Sequence, residues 1–302
     1  MKSVIQSILA IIILSACSAG LSLKNSSSLV QVNAPAGNFL GEGEENFYVF
    51  KGIPYAQPPV GDLRWKAPKN LSAKDEVIDA TKFKSECIQP GTEGLIPNRN
   101  VSVGSEDCLY LNIYIPKNQT DLDKNQFPVM FWIHGGSNIW GSGDFYDFSK
   151  LATTQQVIVV TINYRLGLFG WFSSEHLRNT ATGLDKSSNF GQLDLIKGLE
   201  WVQENISAFG GDKDNITIFG ESAGGHNVLT LLASPLSEGL FHKAISQSGY
   251  VSSYTQKFAE EESELSSKKI FAEETKFLVS DTEVADYLRS LSSEEVYQKY
   301  VA

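Results

Sequence analysis

The fold of this chain is decided by the stretch ITIFGESAGG, which runs from Ile216 to Gly225. Its first four residues form a short apolar run typical of a buried strand, and a helical stretch to Leu232 follows it. The pattern Gly-x-Ser222-x-Gly therefore lies where a strand ends and a helix begins, the context that identifies a nucleophile elbow. The free N–H groups of the helix favour negative charge on an attacked carbonyl group. Ser222 is predicted to be a nucleophile; the alternative is a glycine-rich turn with an incidental serine.

Apolar runs on either side of this stretch predict the rest of a sheet. The predicted strands are Leu109–Ile115, Val129–Ile133, Val157–Ile162 and Lys243–Ser248. One helix before Ser222 carries an apolar stripe made of Leu195, Leu199, Val202 and Ile206. Strands buried on both faces and alternating with helices indicate an α/β fold with a largely parallel sheet. The polar tail from Gln256 to Ala302 is predicted to be helical, with the acidic run Glu260–Glu264 on a solvated face.

A second motif follows the predicted strand that ends at Ile133. It reads His134-Gly135-Gly136-Ser137. A glycine pair just past a strand end leaves backbone N–H groups uncovered, so that they can point into a cleft. Acyl transfer needs such donors where the oxyanion forms, and the loss of one typically costs about 3 kcal/mol of barrier. Together with the Ser222 motif, this turn predicts acyl-transfer chemistry.

Composition excludes several other classes of function. The chain has 302 residues, 42% of them hydrophobic, and a net charge of −10. This composition is that of a globular protein, and its acidity leaves no electrostatic reason to bind nucleic acid. Four histidines and three cysteines, with no Cys-x-x-Cys pair, make a structural metal site an unfavoured interpretation.

The amino-terminal residues are predicted to be an export signal. A weakly basic start precedes the apolar run Val4–Leu14, which is shorter than the ~20 residues that a membrane span needs. Leu14-Ser15-Ala16-Cys17 resembles a bacterial lipobox, which predicts cleavage before Cys17 and lipidation of that cysteine. Ser18 then favours the outer membrane, with the serine-rich residues after it as a flexible tether. The alternative is ordinary secretory cleavage with an unmodified Cys17.

Export makes a disulfide chemically possible. With Cys17 lipidated, Cys87 and Cys108 allow one pairing. Closing a loop of this length is worth about 3 kcal/mol in the loop-entropy model. The alternative is two free, buried thiols.

Five ordered segments of the chain resemble the type B carboxylesterase and cholinesterase family of α/β-hydrolases. They are Phe50–Pro68 (FKGIPYAQPPVGDLRWKAP), Ser105–Pro116 (SEDCLYLNIYIP), Trp132–Gly143 (WIHGGSNIWGSG), Asn163–Trp171 (NYRLGLFGW) and Phe209–Val228 (FGGDKDNITIFGESAGGHNV). The resemblance covers Phe39 to Ala302. Together with the lipobox, it divides the chain into a lipoprotein signal peptide (1–16), a lipidated cysteine and tether (17–38) and a partial carboxylesterase domain (39–302).

The resemblance assigns roles at the predicted site. It implies that Ser222 is the nucleophile of an ester hydrolase and that the N–H groups of Gly136, Ser137 and Ala223 form the oxyanion hole. The substrate of such a hydrolase would be a small-molecule ester, and the resemblance implies no cofactor. Most members carry glycine or alanine where Ser137 stands, a change that retains the backbone N–H.

Other family features are structural. The resemblance pairs Cys87 with Cys108, Arg64 with Glu106 and Arg165 with Asp194, the last two as buried ion pairs. It also implies that Glu221 is a buried supporting carboxylate. Ser248 matches a serine that helps to position the acid of the catalytic triad.

The chain departs from the family in two respects. Residues 88–107 contain no Trp, Tyr or Phe, so the tryptophan that binds choline in cholinesterases has no counterpart. In α/β-hydrolases an acid and then a histidine follow the serine in the chain, and the resemblance implies that both lie beyond residue 302. The hydrolase fold is thus expected to be incomplete on its carboxyl-terminal side.

The four histidines within the chain are not expected to replace the missing base. His134 belongs to the glycine turn, and His226 is one helical turn beyond Ser222, below the elbow. His176 and His242 lie outside any motif. A serine without a base is a poor nucleophile, so this polypeptide alone is expected to be nearly inert. Two alternatives remain: a catalytically inactive, esterase-like binding module, and a truncated product without function.

Overall fold

A computed structural model describes residues 28–72, 74–93, 96–117 and 126–301. Within these residues a nine-stranded mixed sheet has the strand order β1-β2-β3-β7-β9-β8-β10-β11, with β4 paired to β2. The strands of this sheet are β1 (Ser28–Ala34), β2 (Gly37–Gly43), β3 (Phe47–Pro54), β4 (Lys74–Asp79), β7 (Tyr110–Pro116), β8 (Phe127–Ile133), β9 (Ile158–Ile162), β10 (Gly211–Glu221) and β11 (Lys243–Gln247). A separate antiparallel pair consists of β5 (Gln89–Glu93) and β6 (Ile96–Val103).

The predicted strands are confirmed, and the sheet is parallel only in part. Strands β9, β8, β10 and β11 run parallel to one another, so their carboxyl ends lie at one edge. Strands β1, β2, β3 and β7 pair antiparallel, and β7 also lies antiparallel to β9. Short turns connect β1, β2 and β3, and such connections produce antiparallel neighbours.

Helices cover both faces of the sheet. They are α1 (Ser149–Gln155), α2 (Gly167–Gly170), α3 (Glu175–Asn179), α4 (Phe190–Asn205), α5 (Ala223–Ala233), α6 (Ser267–Ile270), α7 (Ala272–Thr275), α8 (Asp281–Ser290) and α9 (Ser293–Val301). The predicted apolar stripe is confirmed, since Leu195, Leu199 and Val202 of α4 and Ile206, directly after it, are fully buried in the main core. A smaller core on the opposite face contains Trp132, Val159 and Phe219, together with Ala152 of α1.

The boundary predicted at residue 39 is wrong. The tether was expected to reach residue 38, whereas β1 begins at Ser28 and pairs along its whole length with β2. Val30 and Val32 pack against the main core, and the intervening side chains are exposed. This alternation makes residues 28–38 part of the domain. Cys17 and the predicted signal peptide lie outside the described residues.

The disulfide and both ion pairs implied by the resemblance are present. Cys87 and Cys108 are bonded. Arg64 contacts Glu106 at 2.5 Å, and Arg165 contacts Asp194 at 2.7 Å, both with side chains almost entirely buried.

The acidic run near the carboxyl end is not wholly solvated. Glu260 is buried, where it accepts a hydrogen bond from Ser173 Oγ at 2.7 Å and pairs with Arg178. The expectation of a solvated face therefore fails at this residue, because a cation and a hydroxyl group compensate its burial. None of the helices in the described ranges is long and apolar enough to cross a bilayer.

Candidate active site

Ser222 is the single residue between β10 and α5. Its backbone angles are φ 54° and ψ −120°, in the left-handed φ region that residues with a side chain rarely adopt. Such strain persists where the surrounding structure fixes the conformation. The serine therefore stands at the amino end of a helix, at the edge where the parallel strands end.

Close packing enforces this sharp turn. A β-carbon on Gly224 would lie 2.0 Å from the carbonyl oxygen of Ile133, the last residue of β8. One on Gly220 would lie 2.6 Å from the backbone of Gly224. These glycines let α5 start directly against the end of β8.

Both backbone groups of Ser222 are occupied. Its N–H donates to the carbonyl of Gln247 at 2.9 Å, and its carbonyl accepts from the N–H of His226 at 2.9 Å. The serine N–H is thus not free to bind a substrate oxygen. Ala223 is the first residue of α5, where an N–H has no partner within the helix, so the next free donor along the chain is its N–H.

The turn after β8 lies beside Ser222. A β-carbon on Gly135 would lie 3.3 Å from Ser222 Cβ. Gly136 and Ser137 follow with φ 92° and 58°, and the Gly136 carbonyl accepts from Ile139 and Trp140 at 2.9 and 3.1 Å. Within the described part of the chain, the N–H groups of Gly136 and Ser137 donate to no protein acceptor. The turn therefore offers two backbone donors next to the serine.

Gln89 holds the far end of this turn, a contact that the sequence analysis missed. Its Oε1 accepts from the N–H of Gly141 at 2.7 Å, and its Nε2 donates to the Gly141 carbonyl at 3.1 Å. Nε2 also lies 3.1 Å from the carbonyl of Cys87. The disulfide loop and the glycine turn are thereby joined through one buried amide. No sequence motif marks this contact, which depends on chain segments far apart in sequence.

His134 braces the start of the turn. Its ring is 1% exposed, stacks on Tyr164 with centroids 4.4 Å apart, and places Nδ1 2.9 Å from the Gly135 carbonyl. Burial lowers the pKa of His134 from 6.5 to about 4, despite the opposing hydrogen bond. The imidazole is neutral at pH 7, and its contacts are structural.

The other histidines also have partners away from Ser222 Oγ. His226 Nδ1 contacts the Tyr250 carbonyl, His242 Nδ1 accepts from the N–H of Ile216 at 3.1 Å, and His176 Nδ1 lies 2.6 Å from Asp281. Among the described residues, no histidine hydrogen-bonds Ser222 Oγ. None of these contacts joins a described histidine to the serine as its general base.

Glu221 is exposed, contrary to the prediction of a buried carboxylate. It ends β10 beside β11, where no described strand or helix covers its side chain. Burial raises the pKa of Tyr146, and the carboxylate of Glu221 raises it further. Ser248 is exposed as well, with φ 53°; its expected role beside the triad acid stays a prediction.

No group of three or more His, Cys, Asp or Glu side chains with metal-binding geometry occurs among the described residues. The site is a serine beside backbone donors. Such an arrangement can stabilise an oxyanion formed by attack of the serine on a carbonyl carbon.

The sequence of the chain is similar to those of known esterases. The sequence profile described as the carboxylesterase family matches residues 28–302. The chain is 47% identical over 220 residues to the para-nitrobenzyl esterase of Bacillus subtilis (strain 168), covering 72% of this chain and 43% of that protein. It is 44% identical over 239 residues to carboxylesterase 1E of Rattus norvegicus, covering 74% of this chain and 41% of that one.

Solved structures show the same similarity in three dimensions. A carboxylesterase of Geobacillus stearothermophilus superimposes with a TM-score of 0.75 at 39% identity, over 90% of this chain and 53% of that one. A PNB esterase superimposes with a TM-score of 0.74 at 40% identity, over 89% and 53% of the two chains. The chain spans somewhat less than half the length of these curated relatives and about half of the solved structures.

Proposed function

The chain belongs to the carboxylesterase family and has part of the α/β-hydrolase fold, and from this premise we propose that it acts in the hydrolysis of carboxylic esters through Ser222. One observation carries the proposal: Ser222 stands between β10 and α5, beside a turn whose Gly136 and Ser137 N–H groups have no acceptor in the described chain. The substrate class is a small-molecule carboxylic ester.

The proposed reaction has two halves. Ser222 Oγ attacks the ester carbonyl carbon, and the N–H groups of Gly136, Ser137 and Ala223 bind the oxyanion of the tetrahedral intermediate. The C–O bond to the alcohol then breaks, the alcohol takes a proton, and an acyl group remains on Ser222. Water attacks this acyl-enzyme, releases the carboxylic acid and returns the proton to the serine.

Both halves need a base that accepts and returns the proton. We propose that a histidine and its orienting acid follow residue 302 in a longer polypeptide, in the order serine, acid, histidine. This part of the proposal is supported by the positions of the four histidines away from Ser222 Oγ and by the greater length of the relatives. In subtilisin, the loss of the histidine alone costs about 10⁶ in rate.

The test compares two polypeptides and one substitution. The 302-residue chain is expected to hydrolyse a short-chain p-nitrophenyl ester no faster than its Ser222→Ala variant. A polypeptide extended through the codons that follow Ala302 is expected to hydrolyse the ester and to react with a fluorophosphonate at Ser222. If the extended chain does neither, the hydrolase proposal fails in favour of an inactive binding module or a non-functional product. A clear Ser222-dependent rate in the 302-residue chain would place the base within it.

We propose that Cys17 is lipidated after signal cleavage and anchors the enzyme to a membrane, facing the periplasm or the cell surface. The lipobox-like Leu14-Ser15-Ala16-Cys17 supports this. Metabolic labelling with a radioactive fatty acid is expected to mark the wild type but not Cys17→Ser. Equal labelling of the two would reject the anchor.

A further inference from the structure

The turn beside Ser222 has an unfavourable backbone conformation over three consecutive residues. Gly136, Ser137 and Asn138 have φ 92°, 58° and 57°. Glycine adopts such angles without strain, whereas serine and asparagine do so at an energetic cost. A segment of this kind keeps one shape only where neighbouring groups hold it.

Asn138 is the residue through which the middle of the turn is held. Its Oδ1 accepts hydrogen bonds from Asn227 Nδ2 at 2.9 Å and from the Tyr164 hydroxyl at 3.3 Å. Its carbonyl accepts from the N–H of Gly167 at 2.7 Å. Three hydrogen bonds, from α5 and from the segment Tyr164–Gly167, therefore converge on the residue next to Ser137.

Asn227 supplies the contact that crosses from the turn to the nucleophile's helix. It lies on α5, which begins directly after Ser222, and it is 1% exposed. Its carbonyl accepts from Gln192 Nε2 of α4 at 3.4 Å, so the residue is fixed on both sides. A buried side-chain amide that lost its acceptor would carry a desolvation cost, so this contact is costly to break.

We infer that the hydrogen bond from Asn227 to Asn138 positions the oxyanion donors. Two of the proposed donors, the N–H groups of Gly136 and Ser137, lie on the turn, and the third, that of Ala223, lies on α5. The bond between the asparagine side chains joins these two elements and sets the distance between the donors. Neither asparagine is assigned a contact with the substrate, so both are positioning residues. The inference rests on the proposed function for its consequence in catalysis.

Preorganisation is the physical reason for such a contact. Backbone donors stabilise an oxyanion because they are already fixed where the charge develops. A turn free to move relative to α5 would have to be ordered again in each reaction. Loss of the bond is therefore expected to slow the chemical step and to change the binding of the substrate little.

Amide hydrogen exchange in the 302-residue chain tests the contact without any need for activity. Leucine has nearly the shape of asparagine but neither donates nor accepts, so Asn227→Leu removes the bond. Exchange at Ile139 and Trp140, whose N–H groups donate to Gly136, is expected to become about tenfold faster, as for the loss of one hydrogen bond. Asn138→Asp retains the acceptor and is expected to stay within about twofold of the wild type.

Two further variants keep the test decisive. Asn205 is also 1% exposed and donates to the Trp201 carbonyl at 2.8 Å, far from the turn in the fold, so Asn205→Leu is the matched control. It is expected to lower global stability without faster exchange at Ile139 and Trp140. If Asn227→Leu does not fold, Asn138→Ala removes the same bond from its half-buried end and is expected to give the same acceleration. Unchanged exchange in Asn227→Leu or in Asn138→Ala, or equal acceleration in the Asn205→Leu control, would overturn the positioning role.

Fluorophosphonate labelling of Ser222 in the extended polypeptide then connects the contact to reactivity. Asn227→Leu is expected to lower the labelling rate at saturating probe about tenfold and to leave the half-saturating concentration unchanged. Asn138→Asp is also expected to leave the half-saturating concentration of the probe unchanged. A wild type that never labels would reject the proposed function alone. Normal labelling of a variant with faster exchange would show that the contact orders the turn without serving the reaction, and would overturn the inference.

Discussion

The two sides of Ser222 differ sharply. On the β8 side, Ile133 is fully buried, and the turn after it is held by Gln89 and His134. On the β11 side, every residue from Lys243 to Gln247 is exposed, and β11 pairs only with β10 in the described chain. The side that offers backbone donors is thus complete, whereas the side next to Glu221 is uncovered. A serine can therefore be positioned accurately before any base is present to activate it.

The largest expected difference between the two sides is in the free energy of unfolding that is lost when a charged side chain is replaced. Asp194→Asn would leave the buried guanidinium of Arg165 without its counter-charge and is expected to lower the free energy of unfolding by about 3–5 kcal/mol. Lys243→Ala on the exposed strand is expected to change it by less than about 0.5 kcal/mol. Urea unfolding of both variants measures the contrast, and equal losses would show that β11 is as well packed as the core.

Two adjacent glycines of α5 sharpen the comparison. Gly224→Ala would bring a β-carbon to 2.0 Å from the Ile133 carbonyl, and we expect a loss of about 3 kcal/mol, because β8 is fixed on both sides. In Gly225→Ala the new β-carbon would lie 2.6 Å from the Gln247 carbonyl, but β11 has a described neighbour on one side only and can shift. We expect a loss of about 1 kcal/mol there, part of it offset by the better helix propensity of alanine. Thermal unfolding of the two variants measures these losses. A larger loss for Gly225→Ala than for Gly224→Ala would mean that β11 is the more rigid neighbour.

The buried histidine makes the covered side sensitive to acid. In the unfolded chain His134 takes up a proton as the pH falls below 6.5, whereas in the folded chain it does so only near pH 4. The stability from neutral His134 is therefore complete above pH 6.5 and is lost as the pH falls from 6.5 to about 4. The slope is about 1.4 kcal/mol per pH unit within that window. Chemical denaturation at several pH values is expected to show a correspondingly flatter dependence for His134→Gln, and identical slopes would contradict a buried, neutral imidazole.

The smallest expected effect on folding lies at the exposed strand. Ile245 is 45% exposed, so Ile245→Lys is expected to change the free energy of unfolding by less than about 0.5 kcal/mol. Open edge strands promote self-association, and a lysine there opposes it. Light scattering of concentrated samples is expected to show fewer aggregates for this variant than for Ile245→Val. A large loss of stability instead would show that Ile245 is packed against a neighbour in solution.

Sequence reasoning predicted the features that depend on local pattern. The apolar runs of β8 and β9, the stripe on α4 and the strand-to-helix position of Ser222 follow from periodicity and turn chemistry. The buried ion pairs came from the family resemblance, whereas the disulfide was expected both from the cysteines left to pair in an exported chain and from that resemblance. The alternation in β1, with Val30 and Val32 facing the core, was a local signal that marked the true start of the domain but was not used.

Features that depend on long-range pairing were not predictable in this way. Gln89 meets Gly141, and Asn138 meets Asn227, only after the sheet has assembled. Glu221 was expected to be buried because its sequence neighbours match the family, but burial depends on what covers the β11 side. A residue that matches the family therefore predicted the backbone conformation at its position better than it predicted what surrounds its side chain.

The close packing around Gly220 and Gly224 has a consequence for how such motifs are used in genome searches. Any larger residue at these positions would collide with main-chain atoms, whatever reaction the protein performs. Selection for solubility alone would preserve them, long after a lineage had ceased to turn over substrate. A Gly-x-Ser-x-Gly match thus shows that the turn can pack, and not that the serine reacts. Surveys that count it as proof of an active enzyme will include inactive relatives.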